Sequence, residues 1–560
     1  MADSLRRRMR EVFTRPLFDA APGLSREEQC RRAYEQLRLV NREFGPGTDL
    51  LDDPARLFAL FEWAALTGPA LPFAMLVHYT LALATLVGQR GESPEILRRQ
   101  DALSTLATVG TFMITEVGRG SSQVALRTEA TYDPRTGDFV VHTPSSVSAK
   151  MSNVGLAGVP KTSVVLARLK VGGRDRGVFA FAVPVRDAEG VRPGIHVEPL
   201  AGMPLVPIDT CVVTFDRLRV PRHDWLSADA SIDESGVFHD DGLGSDARTL
   251  RTLAGASLCW TAQSVALASA ARGCITIALR HAFRRVTMSR KSPRVHAIAH
   301  RNQQRPLFGA LAEAYALTHL ASEVASQYGK SDTQHVEDAA TPWVSVHLTS
   351  TLTKALATRG LERIAHRCRQ SYGVMGLMTA NRVIDYQFLG HAFHSAGGDN
   401  QLILLDTARA LAATPPPSRR VEQDDSLGGL IEAWEQSAHQ QYNEQDGQFD
   451  AALALAEAHG AGLIWRASQR ASAATTDPQR ADLLRDLATY HALETVHEHS
   501  GWLLSTKTLT PDQVSNIPAK LDELCDTLLP YALALVDAFE IPDELLGAPI
   551  TPPSGPPRHD

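Results

Sequence analysis

The chain has 560 residues, 44% of them hydrophobic and 21% charged, with a formal net charge of -7. That balance is ordinary for a soluble globular protein of roughly three or four domains. It argues against nucleic acid as the main partner, and no apolar run is long enough to suggest a membrane span.

The six cysteines are scattered without a CxxC pair, which argues against a structural zinc site and suits a reducing compartment. The first residues, MADSLRRRMREVF, lack the apolar core of a secretory signal, and Arg558-His559-Asp560 is not a peroxisomal address. A cytoplasmic location is expected.

Residues 1–108 read as a helical domain. Ser25 is a natural N-cap ahead of acidic residues in the first turn of REEQCRRAYEQLRLVNREF. The apolar stretch Pro72 to Val87 reads as a buried helix. Residues 109–245 change character: QVALRTEATYDPRTGDFVVHTP alternates, turns at Asp133-Pro134 and Gly137, and alternates again, a hairpin signature. With TSVVLARL, GVFAFAVPV and CVVTFDRLRV it predicts an antiparallel β-domain, a small barrel or sandwich.

Residues 246–413 return to helices. The Ala-rich stretch 253–283 is apolar on more than one face, which predicts burial in a bundle or at a subunit contact. Further helices are expected near 306–329, 339–371 and 400–413. Residues 414–427 read as a proline- and charge-rich linker, 428–546 as a second helical domain, and 547–560 as a disordered tail. The fold class is therefore mainly α with a central antiparallel β-domain.

Thr115-Glu116-Val117-Gly118-Arg119-Gly120 precedes the β-domain. Its glycines would let a ligand approach the backbone and Thr115 offers a hydroxyl, although a Gly-rich turn is the plainer reading. The segment through HTP resembles the TEMGHGT…ETTATYDP…FxxxxP run of the acyl-CoA oxidases. AKMSNVGLAGVPKTSVVLARL is similar to that family's KWWPGGLGKTSxxAxVxAxL, GVFAFAVPVRDAEGVRPGIHVEPL to its GxHxFIVPIRD…PGIxVxDx, and HRNQQRPLFGALAEAYAL to its FQTQQYKLFPLLAxAYAF. The resemblance runs from about Ser25 to Ala413, and the remainder suits the oxidases' extra C-terminal helical domain. It implies the oxidase/dehydrogenase architecture of helical domain, β-barrel and four-helix bundle.

The resemblance also implies FAD, an acyl-CoA or carrier-protein thioester as substrate, and a homodimer. Thr115 and the backbone at Gly118 match the family's flavin-contacting segment, and Gly155 its PGG turn. Arg285 matches the arginine that reaches the flavin pyrophosphate of a neighbouring subunit. The family's following glutamine reads Thr287 and its aromatic pair reads Met151 and Ser152, which weakens part of the cofactor contact. The basic run Arg284, Arg285, Arg290, Lys291 and Arg294 suits either a phosphate-rich ligand such as coenzyme A or a solvated helix end.

The family's base is the glutamate of TFEGEN, twenty residues after the tyrosine of CGGHGY. Here Tyr372-Gly373-Val374-Met375-Gly376-Leu377 is followed by Ser395-Ala396-Gly397-Gly398-Asp399-Asn400, and twenty residues on from Leu377 is Gly397. Glycine accepts no proton, but its backbone N–H can still polarise a thioester carbonyl. Arg248-Thr249-Leu250-Arg251, on the helix where some relatives carry the base, offers no carboxylate. Asp399 is a candidate base or a helix N-cap; His391 and His394 lie nearby. A glutamate restored at 397 is expected to raise the rate, provided the loop has room. Three functions stay open: thioester oxidation with an unusual base or substrate, a flavin-dependent oxygenase, and a non-catalytic subunit paired with an intact relative.

Overall fold

The computed structural model describes residues 2–88, 93–200, 206–240, 244–253, 257–288, 294–330, 347–413, 426–445 and 447–551. Ser25 starts the helix Arg26–Phe44 with a full capping box, its side chain accepting from Glu28 N while the Glu28 carboxylate accepts from Ser25 N. Two N–H groups without intrahelical partners are satisfied there. The apolar segment expected as one helix is continuous from Ala70 to Gly88, but winds as a π-helix over Leu76–Leu83. This segment carries His78, whose Nδ1 accepts from Gly110 N at 2.8 Å and so fixes the start of the β-domain. Burial pushes the imidazole down to about 3, so it is neutral.

The β-domain contains β1 (Val109–Met113), β2 (Glu129–Tyr132), β3 (Phe139–His142), β4 (Lys150–Ser152), β5 (Lys161–Val171), β6 (Arg174–Arg186), β7 (Ile195–Pro199), β8 (Cys211–Phe215), β9 (Leu218–Val220) and β10 (Trp225–Leu226). The predicted β2–β3 hairpin forms with its turn where expected. The main sheet runs β10-β6-β5-β2-β3-β9, with β1 also on β5, and β4-β8-β7 make a second sheet. The domain is antiparallel-rich rather than wholly antiparallel, because β1 and β2 both pair parallel to β5. Long excursions separate these strands from β5, which is what a parallel pairing needs. Alternation along β5 sends Val165, Ala167 and Leu169 into the core of the β-domain and Val164 and Leu166 towards the helices.

The helix Ser257–Arg284 is enclosed by Pro54–Leu66, Arg301–Gln327, Leu348–Tyr372 and Val383–Ser395. It and Ala70–Gly88 are apolar and long enough to cross a membrane by composition, yet 94% and 67% of their apolar windows are buried inside the protein. Of the two expectations for 253–283, burial in a bundle or at a subunit contact, the described residues from Ser257 onward show the first.

The C-terminal helices Leu427–Glu444, Phe449–Ala474, Pro478–Glu498 and Pro511–Leu528 form the second helical region. The ion pair Arg367–Glu494 ties it to the bundle, and Glu313–Arg363 joins two of the bundle's own helices. The expected tail is shorter than read: Ala548 is buried and Ile550 N donates to Asn381 Oδ1 at 3.0 Å. Apolar contacts of these residues with the main core hold them down. Linker residues 414–425, tail residues 552–560 and the expected helix start at 339 lie outside the described residues.

The early and late parts of the chain meet. Arg6 and Arg10 pair with Glu540 and Glu544. Arg382, held at φ +65°, donates to the carbonyls of Phe18, Thr67 and Leu546.

Candidate active site

The helix Val383–Ser395 ends in Ala396, and the helix Asn400–Ala412 begins after Asp399. Between them Gly397 and Gly398 take φ +77° and +101°, a region that L side chains rarely adopt. Three buried donors from distant helices hold three successive carbonyls of this loop. Gln263 Nε2 donates to Ala396 O at 3.0 Å, Trp260 Nε1 to Gly397 O at 2.8 Å, and Lys354 Nζ to Gly398 O at 2.6 Å. Lys354 also reaches Asn400 Oδ1 at 2.9 Å. With the carbonyls committed, the N–H groups of Gly397 and Gly398 take no acceptor among the described residues.

Burial governs the titratable groups around the loop. It pushes the Lys354 ammonium down to about 7, against the pull of Cys259 and Asp399, and pushes the Cys259 thiol up to about 12. Gln263 is fully buried and its Oε1 has no hydrogen-bond partner among the described residues. That oxygen stands 2.5 Å from where a β-carbon on Gly397 would lie. Asn400, also buried, keeps an unpartnered Nδ2.

Of the candidates around the base position, Asp399 shares the loop with Gly397. Its Oδ1 accepts from Gln401 N at 3.0 Å and Leu402 N at 3.3 Å, the capping geometry. His391 is exposed and pairs through Nδ1 with Glu362 at 2.9 Å; His394 is exposed on the same helix.

A second set of residues frames the N-terminal edge of the β-domain. Glu116 is buried, accepts from the backbone of Arg127 and Thr128, and pairs with buried Lys150 at 3.3 Å. Burial pushes Lys150 down to about 7 while Glu116 opposes it. A matching buried pair, Lys161–Asp209 at 3.2 Å, lies under the 153–160 turn, where Asp209 also accepts from Leu156 N at 2.8 Å and from Tyr34. Each loop that the resemblance gives to the flavin thus rests on a buried lysine–carboxylate pair.

Gly118 and Gly155 serve close approaches within the chain. A β-carbon on Gly118 would stand 2.5 Å from Val147 Cβ, and one on Gly155 would stand 3.0 Å from Asp209 O. Thr115 is different: it is half-buried, its carbonyl accepts from Met151 N at 3.0 Å, and its hydroxyl takes no partner among the described residues. Arg285 is exposed and spends Nη1 on Ser371 O at 3.2 Å, leaving most of its fork free to meet an anion. The unspent hydroxyl and the exposed guanidinium fit a polar, phosphate-bearing cofactor such as FAD. Of the basic run, Arg285 and Arg294 are exposed, whereas Arg290 and Lys291 lie outside the described residues.

Sequence reading missed Gln263, Trp260, Lys354, Glu116 and Lys150. A signal existed for the first two: polar atoms inside a helix that is apolar on several faces must find partners when buried.

The chain matches the family descriptions "Acyl-CoA oxidase, C-alpha1 domain" over residues 261–412 and "Acyl-CoA oxidase" over 427–555, together just over half its length. It is 27% identical to acyl-coenzyme A oxidase 3, peroxisomal, of Arabidopsis thaliana, covering 96% of this chain and 85% of that protein. It is 27% identical to the acyl-coenzyme A oxidase-like protein of Mus musculus over 79% of this chain and 77% of that one. Among solved structures it is similar to Arabidopsis thaliana acyl-CoA oxidase 1, with a TM-score of 0.82 at 21% identity, covering 98% and 89% of the two chains. The Caenorhabditis elegans acyl-CoA oxidase-2 described as bound with FAD, ascaroside-CoA and ATP gives 0.82 at 20% identity, covering 97% and 88%. The ordered motifs, the helical–β–helical–helical architecture and these matches place the chain in the acyl-CoA oxidase family.

Proposed function

We propose that the chain is an FAD-dependent oxidoreductase of acyl-CoA oxidase type that acts on the carbons beside an acyl thioester, with no carboxylate base at position 397 but with the backbone N–H there kept to polarise the thioester carbonyl. The observation that carries this reading is the anchored loop. Its carbonyls at 396, 397 and 398 are held by Gln263, Trp260 and Lys354, which leaves the Gly397 and Gly398 N–H groups for a ligand. Fixed donors aimed at a thioester oxygen stabilise the negative charge that develops there and acidify the neighbouring C–H.

FAD, when bound, accepts the two electrons removed from the substrate. Thr115 would hold it through its hydroxyl, and Arg285, from the partner copy of a homodimer, through a forked contact with the pyrophosphate. A similar Caenorhabditis elegans enzyme is described as bound with FAD and ascaroside-CoA, which supports FAD and a CoA ester as ligands at the level of the family. The pairs Glu116–Lys150 and Asp209–Lys161 keep the two cofactor loops rigid, so that the flavin face and the 397 loop stay in register.

Proton removal is the weak step, because the proton meets no side-chain base at position 397 and must pass to solvent water. Asp399 is engaged as a cap, and the neighbour of Gly397 is the neutral amide of Gln263. A positioned base contributes about 10²–10⁴-fold in rate, so ordinary saturated acyl groups should react slowly. The test is a visible spectrum of the purified protein, followed by anaerobic mixing with saturated acyl-CoAs from butyryl to palmitoyl. The reading expects flavin absorbance and slow bleaching. Protein that stays colourless after incubation with FAD would overturn the cofactor assignment, and rapid bleaching would overturn the missing-base assignment.

A further inference from the structure

Gln263 belongs to the enclosed helix Ser257–Arg284 and is fully buried, yet half of its amide is spent and half is not. The donor half faces Ala396 O at 3.0 Å, which fixes the orientation, since a flipped amide would set two acceptors against each other. The acceptor half points into the space that the side chain of residue 397 would occupy. A buried carbonyl oxygen without a donor is costly, and such atoms in folded proteins are generally paired with protein, water or ligand. The protein therefore places an unpaired acceptor against Gly397, in the space that a side chain at that position would enter.

We propose that Gln263 determines substrate specificity: its Oε1 accepts a hydrogen bond from a hydroxyl or amino group on the second or third carbon of the acyl chain. The inference rests on the thioester reading above. It deepens that reading by naming the substrate class, an acyl thioester that carries a hydrogen-bond donor close to its carbonyl. A site built to bond such a group discriminates against the analogue lacking it, because the buried acceptor is then left unpaired. The Gly397 loop fixes the thioester carbonyl and the Gln263 amide reads the neighbouring carbons, so the two contacts together set the register of the acyl chain.

The test is equilibrium binding to the FAD-loaded, full-length protein under anaerobic conditions, by calorimetry. The probes are hexanoyl-CoA, 2-hydroxyhexanoyl-CoA and 3-hydroxyhexanoyl-CoA. At least one hydroxylated ester should bind about tenfold tighter than hexanoyl-CoA. In Gln263→Met, which keeps the length of the side chain and removes the amide, that preference should fall to about one. Binding of hexanoyl-CoA with no preference in the unmodified protein would overturn the inference while leaving the thioester reading intact, and that result needs no variant to fold. A preference that survives Gln263→Met would also overturn it. Failure of all three esters to bind would overturn the thioester reading, and this inference with it.

Discussion

Gln263 and Gly397 occupy one space: the bond from Gln263 Nε2 to Ala396 O sets Gln263 Oε1 2.5 Å from the position of a β-carbon on Gly397. The two positions must therefore change together. Gly397→Ala should lose stability twice over, through left-handed backbone strain of about 1–2 kcal/mol and through crowding of about 1–3 kcal/mol. Adding Gln263→Ala should recover the crowding and leave the strain. Denaturant unfolding of the four proteins gives the coupling directly, and simple additivity of the two single changes would refute it.

The same geometry changes what is expected of a restored base. Gly397→Glu alone has no room for its side chain and should lower stability without raising the rate, because the room on which the sequence expectation depended is taken by Gln263. In Gly397→Glu with Gln263→Ala the carboxylate gains space. Flavin reduction by a saturated acyl-CoA should then rise by about 10²–10⁴-fold over the unmodified protein, measured by anaerobic stopped flow.

Asp399 separates capping from catalysis cleanly. Its carboxylate accepts from two backbone N–H groups at the start of Asn400–Ala412. Asp399→Ala should cost about 1 kcal/mol and Asp399→Asn almost nothing, because asparagine caps equally well. Flavin reduction should be unchanged in Asp399→Asn; a fall of about a hundredfold or more would make Asp399 the base.

Lys354 predicts a pH dependence. Its ammonium lies near 7 in the folded protein against an ordinary value of 10.5. Between those values the unfolded chain holds a proton that the folded chain lacks, so this group makes stability rise with pH across that window and adds nothing further above it. Lys354→Met abolishes the effect. The cost of the substitution should therefore grow as pH rises from about 7 to about 10, by roughly 1 kcal/mol per pH unit, measured as paired urea midpoints.

The loop that carries Thr115 offers an independent check. Lys150→Met leaves Glu116 buried without its cation, a change that typically costs about 3–5 kcal/mol. The loop carrying Thr115 should loosen, and the variant should retain less FAD through gel filtration than the unmodified protein. Full retention would separate the Glu116–Lys150 pair from the cofactor.

Much of the fold was legible because its signals are local. Ser25 with Glu28 three residues on, the Asp133–Gly137 turn between alternating runs, and the change of period near residue 109 each report on a few neighbouring side chains. The loop at 397 was legible only as a loss. Its compensation comes from Trp260 and Gln263, more than 130 residues away, and from Lys354 on another helix. In an apolar helix one glutamine reads as a tolerated polar residue, and only the packing shows that it fills the place of a missing side chain. The parallel pairing of β1 and β2 with β5 was invisible for a related reason: strand direction is set by the path of the connecting chain, not by alternation within a strand.

The contacts of Arg382 and of the first helix bear on the order in which the molecule can be made. Phe18 O, Thr67 O and Leu546 O meet on one guanidinium, and Arg6 and Arg10 wait for Glu540 and Glu544. A ribosome adds roughly 5–20 residues per second, so the first helix emerges tens of seconds before its partners exist. Its apolar face, including Met9, Val12 and Phe13, must pack early on Phe18, Phe44 and Trp63, while its charged face stays unmatched until synthesis is nearly over. Native contacts of this span are slow to form, and the helix that leads into the 397 loop is locked by Arg382 only when the last of them closes.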